Sequence, residues 1–107
     1  MNVDIERGVE IARLNDRFRG MCVDVNITQG VIYDIGDHIG LLKTIEGFNK
    51  FTEDNDPYGE HDFGSLRWES HKVFWKIDYY DPELKFGLDP LDPKCRRVMT
   101  VMLAEEY

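Results

Sequence analysis

Residues 73–80, Val-Phe-Trp-Lys-Ile-Asp-Tyr-Tyr, put Val73, Trp75, Ile77 and Tyr79 on one side of an extended chain and Phe74, Lys76, Asp78 and Tyr80 on the other. Alternation of this kind, with one side apolar or aromatic throughout, marks a strand that buries a face. Leu66 to Glu69 precedes it, and the pair reads as a β-hairpin turning near Ser70-His71. An isolated hairpin is at best marginal in water, so a chain containing this one must widen the sheet and cover it.

The remaining segments supply the means. Residues 4–19 read as an amphipathic helix with Ile11, Leu14 and Phe18 on its apolar stripe and Arg13, Asp16, Arg17 and Arg19 on the wet side, closed by Gly20. Met21 to Thr28 alternates, with Met21, Val23, Val25 and Ile27 facing one way, which predicts a second half-buried strand. Val31 to Gly36 takes no clear assignment. Asp37 to Phe51 reads as a second helix through Leu41, Ile45 and Phe48, with Gly40 and Gly47 accommodating close packing. Residues 53–62 and 81–93 are loops by their Pro and Gly content. Arg97 to Ala104 carries apolar residues on both faces, as a central strand or a short buried helix does. At 107 residues the chain makes one domain. The expected fold is α+β: an antiparallel sheet of about four strands with two helices on one face.

Charge narrows the function classes. The formal net charge is −8, and residues 53–92 hold eleven acids against four bases, so that segment alone carries −7. Nucleic acid and anionic membranes both recruit Lys and Arg, and this balance opposes direct binding to either. It favours a partner with a basic surface. Cys22 and Cys95 are too few for a disulfide framework and read as buried reduced thiols. The first residues have neither the basic nor the apolar region of a secretion signal, and no stretch reaches membrane-spanning length, so a cytoplasmic location is expected.

Three constellations invite chemistry. Asp54-Asn55-Asp56-Pro57-Tyr58-Gly59 half-matches a calcium loop at positions 1, 3 and 6, but Tyr58 stands at 5 and Ser65 at 12. Glu60, His61, Asp62 and His71 match no standard zinc spacing. Asp78, Lys76, His61 and Glu60 supply the residue types of a small metal-dependent hydrolase or nuclease without the spacing of one. No cofactor or metal is therefore expected. The two acidic loops flank the same hairpin and can converge on one edge. The residues expected to meet a partner there are Asp54, Asp56, Tyr58, Glu60, Asp62, Asp78, Tyr80, Asp81, Glu83, Asp89 and Asp92.

Three blocks carry a resemblance: Phe51-Thr52-Glu53-Asp54-Asn55-Asp56-Pro57-Tyr58-Gly59-Glu60-His61-Asp62-Phe63-Gly64, then 73–81, then Arg96 to Tyr107. Together they resemble an uncharacterised bacterial family of small acidic proteins, a domain of unknown function frequent on plasmids, prophages and other mobile elements. The resemblance implies a setting and no activity. In that setting the expectation is a non-enzymatic inhibitor, anti-CRISPR-like and mimicking DNA, whose carboxylates occupy the basic channel of a host nucleic-acid-binding complex such as a CRISPR effector. The hydrolase and a generic protein-interaction module are the alternatives.

Overall fold

A computed structural model describes residues 3–107. Three helices, α1 (Val3–Met21), α2 (Gln29–Asp34) and α3 (His38–Glu46), accompany four strands, β1 (Val25–Ile27), β2 (Phe63–Trp68), β3 (His71–Tyr80) and β4 (Arg96–Leu103). The strands form one sheet in the order β1-β4-β3-β2. The expected α+β domain is what forms, and the run at the chain's end is its central strand. β4 pairs antiparallel with β3 on one side and parallel with β1 on the other, which makes the sheet mixed though mostly antiparallel.

The strand alternation decides which face is covered. Val73, Trp75 and Ile77 of β3 lie opposite Leu103, Val101 and Met99 of β4, and all six are buried. Phe18, Val31, Ile35, Leu41, Ile45 and Phe48 pack on them, so the helices cover that face. On the other face Phe63 and Phe74 sit with ring centroids 5.1 Å apart, and Tyr107 packs edge-on against both.

Where expectation and structure differ, backbone geometry explains it. The strand expected over 21–28 begins only at Val25, because α1 runs through Gly20 to Met21 and both Cys22 and Asp24 adopt φ of 50°. Met21 and Val23 are consequently exposed. α2 starts at Gln29, two residues ahead of the unassigned stretch, needs only six residues to bury Val31 and is started by the Thr28 side chain. α3 stops at Glu46 rather than reaching Phe51. The hairpin turns one residue earlier than expected, at Glu69-Ser70, both with positive φ. That turn also steadies a helix, since the Glu69 carboxylate accepts from the Gly36 and Asp37 amides at 2.8 Å, just ahead of α3. These amides hold its carboxyl below the usual carboxylate range. At the other end Glu106 accepts from Thr28 Oγ1 (2.6 Å) and from the amides of Gly30 and Leu103, which ties the C-terminal turn to the start of α2.

The two cysteines are half-buried rather than enclosed, and burial pushes both thiols up. No helix among the described residues is long and apolar enough to cross a membrane.

Candidate functional site

The buried stripe of α1 is not wholly apolar. Besides Ile11, Ala12 and Phe18 it buries Asn15 (0% exposed) and Arg19 (4%), the latter expected on the wet side. Buried polar groups of this kind persist only with partners, and theirs lie on the acidic loops and at the end of α3.

Arg19 lies over the Phe51 and Trp75 rings, 5.4 and 5.0 Å from their centroids. It donates through Nε to the Ile45 carbonyl (3.0 Å), which also accepts the Phe48 amide, and through Nη2 to the carbonyl of Phe48 (2.9 Å), just past the end of α3. It also pairs with Asp16 at 3.1 Å. Phe51, so seated, stacks flat on His61 with centroids 3.8 Å apart, and His61 Nδ1 meets the same Asp16 carboxylate at 2.9 Å. One helical turn therefore anchors both ends of the 51–61 loop.

Within the loop Asp56 is buried (8% exposed) and spends its carboxylate on the amides of Glu60 and His61. It was expected to meet a partner; instead it shapes the turn that Gly59 completes at φ 65°. The same inward turn takes it out of any calcium loop with exposed Asp54.

Asn15 joins the two acidic loops. Its Nδ2 donates to the Glu60 carbonyl (2.9 Å) and to Tyr79 Oη (2.8 Å), while its Oδ1 accepts from Arg97 Nε (2.7 Å). Arg97 lies over the Tyr79 ring and donates through Nη2 to the Pro90 carbonyl (2.8 Å). Arg7 adds a bridge from α1 to Asp89 at 2.7 Å. The loops at 53–62 and 81–93 thus meet at one end of the domain.

Carboxyl groups crowd together, partly buried, at this end. Burial raises the Glu60 carboxyl, and Asp62, Asp56 and Asp89 raise it further against the pull of Arg7. Burial likewise raises Asp62, with Asp56 and Asp78 adding to it. Apolar surface accompanies the charge: Ile5, Val9 and Tyr58 are 63, 65 and 82% exposed. A groove of about 420 Å³ runs between α1 and the loop, lined by Ile5, Arg7, Gly8, Pro57, Tyr58 and Glu60. Gly8 is what permits the approach, since a Cβ there would lie 2.9 Å from the Tyr58 carbonyl oxygen.

Apart from Asp89, which Arg7 holds at this end, the other expected contact residues are dispersed. Asp78 pairs with Lys76 at 3.3 Å on the sheet face away from the helices, the face that Tyr80 shares. Asp81, Asp89 and Asp92 cap turns by accepting the amides of Lys85, Leu91 and Lys94. Asp54 and Glu83 are exposed. The hydrolase set is not assembled, because His61 is committed to Phe51 and Asp16 on the helical side of the sheet while Lys76 and Asp78 pair on the other. No group of three or more His, Cys, Asp or Glu residues among those described is disposed to share a metal ion. Sequence reading missed Asn15, Asp16, Arg19 and Arg97. Their signal was a helix stripe that continues through polar residues at 15 and 19, four apart.

The sign of the Asp62 shift fixes a pH prediction. A carboxyl raised in the folded state favours folding when protonated, and that contribution is lost as pH rises from the unfolded value through the folded one. Asp62→Asn should therefore raise the thermal midpoint at pH 7. The difference from wild type should vanish below the ordinary carboxylate range, and scans of both proteins across pH check this.

Fold and edge together define a small α+β domain with an acidic, partly apolar end held by buried polar contacts. The chain belongs to the family described as protein of unknown function DUF3768, whose model matches residues 27–106 and so covers nearly everything from the end of β1 onward. No curated protein and no solved structure matches it.

Proposed function

We propose that the protein is a non-enzymatic binding protein that uses the end where its two acidic loops meet to engage a basic protein surface. The observation that carries this reading is the pair Glu60 and Asp62: two half-buried carboxyls, each raised by burial and by neighbouring carboxylates, near the exposed ring of Tyr58. Solubility alone needs charge but gains nothing from crowding it into a half-buried site. A basic partner relieves the repulsion, and Tyr58 supplies the aromatic anchor on which interface energy concentrates. The partner class to test first is a nucleic-acid-binding complex whose basic channel the edge would occupy, with a CRISPR effector of the host as the specific case.

The test is affinity capture from the native host with wild-type protein and with the Asp54→Lys/Glu60→Lys/Asp62→Lys variant, at low and high salt. Asp56 is left intact because its carboxylate shapes the loop. A nucleic-acid-binding complex retained by the wild type, released at high salt and absent from the variant is the expected result. Equal capture by both proteins would defeat the reading.

A further inference from the structure

β2 is the last strand of the sheet, and its outer edge is open. The Ile77 amide donates to the Asp62 carbonyl at 2.8 Å, which makes Asp62 and Ile77 a hydrogen-bonded pair. In an antiparallel ladder such pairs alternate. Gly64–Trp75, Leu66–Val73 and Trp68–His71 are therefore bonded pairs as well, and the amides and carbonyls of Phe63, Ser65 and Arg67 point away from β3. These outward groups have no backbone partner among the described residues.

A groove of about 450 Å³ lies along this edge, between β2 and the segment leaving α3. Phe48, Leu66 and Trp68 give it an apolar wall, and Asn49, Lys50 and Arg67 a polar one. Its charged lining residues are both basic, on a chain of net charge −8, and no carboxylate lines it. An open strand edge beside an apolar groove is the arrangement that takes an extended peptide as an added strand. The main chain of the peptide bonds to the edge, and alternate side chains enter the groove.

We infer that the β2 edge binds an extended acidic segment of another protein by strand addition. Apolar side chains at every second position cover Phe48, Leu66 and Trp68, and the carboxylates between them meet Arg67 and Lys50. This surface is separate from the acidic end, and its occupant has the opposite charge, so the two proposals stand or fall independently.

The test begins with a random heptapeptide display library selected on the full chain, followed by fluorescence anisotropy of the enriched peptide. Enrichment of sequences alternating apolar and acidic residues is expected. Affinity should drop at least tenfold in the Lys50→Glu/Arg67→Glu variant. It should drop as far in Ser65→Pro, which removes an outward amide without touching the ladder to β3. N-methylation of alternate peptide amides should abolish binding to the unmodified protein, a readout that does not depend on whether Ser65→Pro folds. No enrichment, enrichment of basic sequences, or affinity indifferent to N-methylation would overturn the inference. So would a dimer in sedimentation equilibrium that Ser65→Pro dissolves, which would assign the edge to a second copy of the chain.

Discussion

Arg19→Ala is expected to destabilise the fold by about 2–5 kcal/mol, the range for truncating a large buried side chain to alanine. Three losses combine. In a buried site the Phe48 carbonyl loses its donor, and the Ile45 carbonyl keeps only its backbone one. The rings of Phe51 and Trp75 lose the cation packed on them. A cavity opens where the guanidinium stood. Arg19→Met should cost distinctly less, because it fills the space and also removes Nη1, which is buried without a partner. Arg19→Lys should fall nearer the alanine variant, since an ammonium cannot reach both carbonyls while lying flat on two rings. Urea unfolding of the three variants gives this ranking directly. Equal stability of wild type and Arg19→Ala would mean that the charge is not buried as described.

Gly64→Ala should cost about 3 kcal/mol, the upper part of the overpacking range. Gly64 lies opposite Trp75 in the ladder, and a Cβ at 64 would collide with the indole ring at Nε1, Cε2 and Cζ2. The ring cannot yield, because Trp75 is wholly buried beneath Phe48, Phe51 and Arg19. Trp75→Phe removes the colliding part of the ring together with an indole N–H that has no partner. The double variant Gly64→Ala/Trp75→Phe should therefore be more stable than the two single losses sum to, a coupling readable in a double-mutant cycle. Strict additivity would contradict the packing.

The Arg19 prediction falls on the part of the molecule that was least legible in the sequence, and Gly64 lies in β2 ahead of Leu66, where the sequence placed the start of that strand. The sheet was legible: alternation in 73–80 set the buried face of β3, and apolar residues on both sides of 97–104 fitted a central strand, with a short buried helix as the other reading. Those signals are local, because each strand's own pattern reports its surroundings. The position of Arg19 is a different kind of fact. A rule that sends arginine to solvent fails where the end of α3, the residues after it and β3 bring two carbonyls and two rings within reach, and both carbonyls lie 26 or more residues away in the chain. Asp56 illustrates the same limit among the acids. Composition shows five acids in residues 53–62 but does not separate the one that folds the turn from the ones that face outward. The parallel pairing of β1 was hidden too, since three residues carry no register of their own. Convergence of the two acidic loops was read from their flanking the hairpin; what holds them together, Asn15 and Arg97, lies outside both.

Asp62→Asn tests the central claim most directly when its thermal midpoint and its capture of the proposed basic partner are measured on the same preparation at pH 7. A carboxylate kept for binding at the expense of stability predicts a higher midpoint and weaker capture in the variant. A higher midpoint with undiminished capture would contradict that account and leave the charge of this edge a property of the solvated surface.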